Sequence, residues 1–79
     1  MKVLFYTTQG CTLCEDMLDK LIGEPIFAGV QLVTKEVALD DELTERFAQT
    51  LPVMCVNEQE LHSPFTIDEA KDWLTAITS

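Results

Sequence analysis

Two cysteines separated by two residues, Cys11-Thr12-Leu13-Cys14, are the part of this sequence whose types and spacing carry chemistry. A thiolate attacks a disulfide sulfur, and a second thiol close behind it can displace the product by closing a small ring. In the chain-entropy account, a loop of about four residues constrains the unfolded chain by only ~2 kcal/mol, less than longer loops do. Such a bond is a poor staple and a good switch. By position, Cys11 is the expected nucleophile, and Cys14, one turn deeper, the resolving thiol. The same pair also suits metal ligation or two unreactive thiols, so the surroundings must decide.

The surroundings favour redox chemistry. Residues 2–7, Lys-Val-Leu-Phe-Tyr-Thr, are β-branched, aromatic and almost continuously apolar, as in a strand buried on both faces. Gly10 then punctuates, and residues 11–22 read as a helix, with Leu13, Met17 and Leu21 at i+4 and Leu18 and Ile22 widening the stripe. A helix N-terminus offers unpaired N–H groups and a partial positive charge, both of which favour a thiolate. Gly23-Glu24-Pro25 ends that helix. Residues 30–37 read as a second strand, and Asp40 or Asp41 caps a short helix running to about Gln49, with Leu43 and Phe47 turned inward. Pro52-Val53-Met54-Cys55-Val56 is a third strand, Asn57-Glu58-Gln59 a turn, and Glu60-Leu61-His62 a short returning strand. Thr66 and Glu69 form a capping box ahead of a last helix whose Ile67, Ala70, Leu74 and Ile77 face the core. A pair of cysteines spaced this way, opening a helix inside a βαβ pattern, is a redox signature.

Composition narrows the partners. The 79 residues make one domain, 1–79, with 47% hydrophobic side chains, an ordinary value for a packed globule. Five basic and fourteen acidic residues give a net charge of −9, which argues against nucleic acid and against anionic membrane surfaces. No apolar run approaches the ~20 residues of a membrane span. The apolar part of the first nine residues is too short for a signal peptide, so the reducing cytosol is the expected compartment.

The remaining candidates read more plainly. Cys55 lies four residues into an apolar strand and is expected to act as a small buried hydrophobe. Combining Cys11, Cys14, Cys55 and His62 would give a Cys3His zinc set. The six residues between Cys55 and His62 exceed usual ligand spacing, and strand alternation should keep Cys55 in the core. His62 is expected to be a solvated turn residue, Tyr6 a core aromatic, and Asp40-Asp41-Glu42 a solvated helix start.

With these elements placed, the chain resembles the glutaredoxin-like branch of the thioredoxin superfamily. The resemblance rests on Phe5-Tyr6-Thr7, Cys11-Thr12-Leu13-Cys14 and Thr50-Leu51-Pro52, and extends over essentially all 79 residues. It implies an α/β thioredoxin-like fold, βαβαββα, with a four-stranded mixed sheet and helices on both faces. The implied activity is that of a small monomeric thiol–disulfide oxidoreductase, a dithiol electron carrier for protein or low-molecular-weight disulfides. Cys11 and Cys14 would be catalytic, with no bound cofactor and no metal. In that family the proline matching Pro52 is cis and stands beside the cysteines, and the backbone before it, here Leu51, pairs with an extended substrate. Gln9, Gly10, Thr50, Leu51 and Pro52 are the implied substrate-binding residues. A zinc or iron–sulfur module, or a redox-inactive interaction domain on the same fold, are the alternatives.

Departures from the family pattern bear on the electron donor. Glutathione-using members carry a Lys where Thr8 stands, and a Gly-Gly…Asp-Asp segment where this chain has His62-Ser63-Pro64-Phe65-Thr66. Ser63-Pro64-Phe65 looks instead like the Ser-Gly-Phe of glutaredoxin-like hydrogen donors that thioredoxin reductase reduces. Arg46 and Gln49 are the residues left to meet glutathione's carboxylates. A protein reductase such as thioredoxin reductase is therefore expected ahead of glutathione.

The acidity also sets reactivity. A helix dipole contributes roughly 0.3–1 kcal/mol, and one pKa unit is worth about 1.36 kcal/mol, so the dipole alone moves Cys11 by less than one unit from ~8.5. Hydrogen bonds from the helix add to this, while Glu15 and Asp16 oppose it. The expected midpoint for Cys11 in a pH titration of alkylation rate is near ~7, rather than the ~3.5 of strong oxidants. Full thiolate below pH ~5 would overturn that expectation.

Overall fold

The computed structural model describes residues 1–78. Its sheet comprises β1 (Lys2–Thr7), β2 (Gln31–Glu36), β3 (Val53–Val56) and β4 (Gln59–His62), in the order β2-β1-β3-β4. β1 and β2 run parallel, with Lys2 opposite Gln31 and Thr7 opposite Glu36. β3 lies antiparallel to β1, pairing Tyr6 with Val53, and β4 lies antiparallel to β3, pairing Val53 with His62. The helices are α1 (Thr12–Ile22), α2 (Pro25–Ala28), α3 (Asp41–Phe47) and α4 (Ile67–Thr78). The mixed four-stranded α/β architecture is the one expected, with one extra turn of helix. Among the described residues no helix is long and apolar enough to cross a membrane.

β1 is central because both of its faces are covered. Strand alternation sends Val3 and Phe5, both fully buried, to one side. Tyr6 turns to the other, where its ring lies 4.7 Å from that of Phe47 on α3. The burial extends through β3, all four of whose residues are buried. Cys14, Met17 and Leu21 of α1 and Ala70 and Leu74 of α4 complete the core.

Several boundaries differ from expectation, each for a local reason. α1 begins at Thr12 because Cys11 is its cap, with extended backbone. Its buried stripe is Cys14, Met17 and Leu21, whereas Leu13 and Ile22 are 66% and 68% exposed. Turning the helix by one residue position, about 100°, is enough to exchange Leu13 for Cys14 against the core. α2 arises where only a stop was expected: Pro25 fits the first helical position, and burial of Phe27 holds the turn. The second strand is shorter than expected because residues 37–39 form a 3-10 turn that buries Val37. α3 is capped by Asp40, whose Oδ1 accepts the N–H groups of Glu42 and Leu43 at 2.9 and 3.1 Å, and it ends at Phe47 rather than near Gln49.

The capping box of α4 is reciprocal. Thr66 N–H donates to Glu69 Oε1 at 3.0 Å, and Glu69 N–H to Thr66 Oγ1 at 3.1 Å. Thr66→Ala is expected to cost about 1 kcal/mol in denaturant unfolding, and Leu21→Ala, which empties a fully buried site, roughly 2–5 kcal/mol. Equal costs for the two substitutions would contradict this description of where the fold draws its stability.

Candidate active site

β1 delivers the chain to the dithiol through residues 8–10. Gly10 takes φ +83°, a left-handed conformation that side chains with a Cβ disfavour, although the space around it is open. That turn lets Cys11 N–H donate to Thr8 C=O at 3.2 Å and sets Cys11 at the head of α1. Its Sγ occupies the place of a capping oxygen and accepts the Cys14 N–H at 3.2 Å. Cys11 and Cys14 are joined as a disulfide, their Cα atoms 5.3 Å apart. Cys11 is half-buried, whereas Cys14 is only 1% exposed. An incoming sulfur therefore meets Cys11 first.

Glu36 fastens the turn that precedes the cysteines. The parallel register sets it opposite Thr7, at the end of β2. One carboxylate oxygen accepts Gln9 N–H at 2.8 Å and the other accepts Ala38 N–H at 3.2 Å. These bonds, led by that from Ala38 and joined by the Thr8 side chain, hold its carboxyl below the ordinary carboxylate value. Glu36, Gln9, Thr8, Glu15 and Cys14 line a cavity of about 340 Å³ on one flank of α1.

A second, apolar groove of about 130 Å³ opens on the other flank. Leu13 and Met17 of α1 form one side, with Pro52, Ser63, Pro64 and Phe65 around the rest. The Leu51–Pro52 and Ser63–Pro64 peptides are both cis. Leu51 is buried, and the Thr50 C=O accepts Ser63 N–H at 3.0 Å. Of the expected substrate-binding residues, Gln9 lines the cavity beside Glu36, and Pro52 the apolar groove. Gly10 forms the turn and Thr50 braces the loop beside Pro52. In the sequence Leu13 and Met17 belong to an apolar helix stripe, and Phe65 stands in the stretch before the last helix. Their common groove is visible only once α1 is rotated and the loop before α4 folds against Pro52. Glu36 lies 27 residues from Gln9, and no local pattern marks that contact.

The other titratable groups sit apart from the dithiol. Cys55 is buried on the Tyr6 side of the sheet, where its thiol donates to the Asn57 C=O at 3.3 Å. Burial first, then the Glu60 charge, pushes its pKa up, as expected of an inert core thiol. Tyr6 is raised in the same way, burial leading. Among the described residues no three His, Cys, Asp or Glu side chains gather as a metal site would require, so the Cys3His set does not assemble. His62 is exposed, as expected, and ends β4; the structure adds that its ring lies between Thr50 Oγ1 and Glu60 Oε1, 2.9 Å from each. Arg46, proposed for glutathione, is bound to Glu60 at 2.9 Å and lies over the Phe47 ring.

Because the folded-state pKa of Glu36 lies below its ordinary value of 4.5, its contribution to stability is complete above that value and fades as pH falls through the folded-state pKa. Glu36→Gln should therefore be less stable than the native chain at neutral pH, with the gap closing in acid. Urea midpoints measured across the acid range test this, and a gap independent of pH would contradict it.

Comparison with known proteins agrees with this geometry. Residues 2–75 match the family described as Glutaredoxin-like domain (DUF836). No curated protein matches the chain significantly. Among solved structures, the chain superposes on a structural genomics target protein from X. campestris, XcR50, with a TM-score of 0.75 at 20% identity, covering 94% of this chain and 96% of that one. It superposes on thioredoxin 1 from Thermosipho africanus with a TM-score of 0.74 at 15% identity, covering 99% and 94%. Both likenesses establish a thioredoxin-like fold, and the match across residues 2–75 establishes that the chain belongs to the glutaredoxin-like domain family.

Proposed function

We propose that the protein is a dithiol carrier that reduces disulfides through Cys11 and Cys14. The observation that carries this reading is the asymmetry of the pair: Cys11 caps α1 and is partly open to solvent, while Cys14 is buried directly behind it. In the reduced state the Cys14 N–H that meets Cys11 Sγ would favour a thiolate there. The Cys11 thiolate attacks one sulfur of the substrate disulfide, forming a mixed disulfide and expelling the other substrate thiolate. Cys14, on losing its proton, attacks Cys11 Sγ, expels the second substrate thiolate and closes the Cys11–Cys14 bond. Two electrons pass to the substrate, whose two sulfurs leave as thiols carrying the protons given up by the dithiol. An external thiol reductant then reopens the Cys11–Cys14 bond.

The docking surface in this reading is the apolar groove, with Pro52 at its edge and the Leu51 backbone free to pair with an extended chain. Gln9 and Gly10 bound the opposite side of the dithiol. The substrate is a disulfide-bearing protein that presents an apolar side chain beside its cysteine. A protein reductase is preferred over glutathione as electron source because Thr8 carries no charge and Arg46 is already committed to Glu60. The net charge of −9 also disfavours an anionic tripeptide and suits a basic partner surface. A reducing cytosol and a monomeric carrier fit such chemistry.

Reduction of an oxidised protein substrate with NADPH, plus either thioredoxin reductase or glutathione with its reductase, tests this reading. Turnover is expected with the protein reductase, a fall to the uncatalysed rate in Cys11→Ser, and a stable mixed disulfide in Cys14→Ser. Turnover with neither donor would overturn the proposal.

A further inference from the structure

Besides Leu13 and Met17, the apolar groove is walled by two separate parts of the chain, Pro52 and Ser63-Pro64-Phe65. Each wall is preceded by a polar residue, Thr50 and His62, and these two side chains meet: Thr50 Oγ1 lies 2.9 Å from His62 Nδ1. A second bond runs beside it, from Ser63 N–H to the Thr50 C=O at 3.0 Å. The two walls are thus fastened, beyond the β3–β4 ladder that pairs Val53 with His62, by one side-chain and one further backbone hydrogen bond. We propose that His62 is a positioning residue for substrate docking, fixing the width of the groove through Thr50. This inference rests on the reading of the groove as the docking surface.

The network assigns the direction of each bond. Glu60 Oε1, 2.9 Å from His62 Nε2, belongs to a carboxylate that only accepts, so Nε2 carries the hydrogen. In the neutral ring Nδ1 is then an acceptor, and the Thr50 hydroxyl donates to it. The Phe47 C=O is a second, longer acceptor for the same hydroxyl at 3.4 Å. Glu60 is held in turn by Arg46, whose Nη2 donates to Oε2 at 2.9 Å while its guanidinium rests on the Phe47 ring. The Phe47 ring also lies 5.7 Å from that of His62, closing the set from the α3 side. The imidazole is therefore fixed at both nitrogens and against an aromatic ring, although it stands at the surface.

The position gives His62 leverage that its own exposure would not suggest. It touches neither cysteine and does not line the groove; it acts on Thr50, one residue before Leu51, whose backbone would pair with substrate. Losing the side-chain bond leaves backbone ties alone, the Ser63–Thr50 bond and the β3–β4 ladder that pairs Val53 with His62. A groove of about 130 Å³ accepts a single side chain, so a small change in wall separation alters how well an apolar residue fills it.

The test compares Thr50→Val, Thr50→Ser and His62→Ala with the native chain. One readout is steady-state reduction of a peptide disulfide with a Leu or Phe beside its cysteine. The other is hydrogen exchange of the Ser63 amide by NMR, which needs no activity. Loss of the bond in Thr50→Val and His62→Ala is expected to raise KM for the peptide by roughly three- to tenfold, with kcat moving less than KM, and to speed Ser63 exchange by a similar factor. Thr50→Ser, which keeps the hydroxyl, should restore both. Valine and serine variants that behave alike, or Ser63 exchange unchanged in His62→Ala, would overturn the proposal. Should the native chain itself fail to reduce the peptide, the dithiol-carrier reading falls, and Ser63 exchange still decides whether the clamp exists.

Discussion

The arrangement of this protein depends on a sulfur capping a helix. Four N–H groups at the head of any α-helix lack partners within it, and a side-chain acceptor usually meets one of them. In this chain that acceptor is Cys11 Sγ, and the N–H it meets belongs to Cys14. One contact therefore starts α1, turns the first sulfur toward the second and leaves the first at the surface. The rest of the fold serves this contact. β1 must end at Thr7, Gly10 must take its left-handed turn, and the stripe of Cys14, Met17 and Leu21 must lock α1 against the sheet.

Two unlike surfaces flank the capped dithiol. On one side Glu15 and Glu36 bring carboxylates to the cavity, and on the other Leu13, Met17, Pro52 and Phe65 border a groove that no charged side chain lines. The carboxylates oppose a strongly stabilised thiolate, although that of Glu36 is already engaged by backbone N–H groups. The apolar side carries no such conflict, and in the proposed function it is the recess that receives a substrate side chain. In this account the acidity tempers the nucleophile while the groove selects the partner. In the proposed function the chain's charge and its dithiol serve one task, the reduction of protein disulfides.

Much of this was legible in the sequence because the signals were local. The apolar strand at residues 2–7, the Cys11–Cys14 spacing, the Asp40 cap and the Thr66–Glu69 box each declare themselves within a few residues. The mixed four-stranded sheet is implied by the family resemblance, and the burial of Cys55 follows from its place in an apolar strand. What was misread depended on rotation or distance. Leu13 fits an apolar stripe as well as Cys14 does until packing chooses, and the chosen rotation exposes Leu13 to the groove. The turn at Pro25–Ala28 is too short for periodicity to reveal. Glu36 and His62 find their partners across 27 and 12 residues, so their roles exist only in the folded chain.

The claim that the Cys11–Cys14 pair is a reversible two-electron couple is the centre of the account. Its most direct test equilibrates the protein with graded ratios of reduced to oxidised dithiothreitol, then alkylates the free thiols and maps the labels by mass spectrometry. The account predicts a single transition in which Cys11 and Cys14 gain label together, with Cys55 labelled slowly and independently of the ratio. Cysteines that fail to interconvert across the series, or a transition that includes Cys55 in place of Cys14, would contradict it.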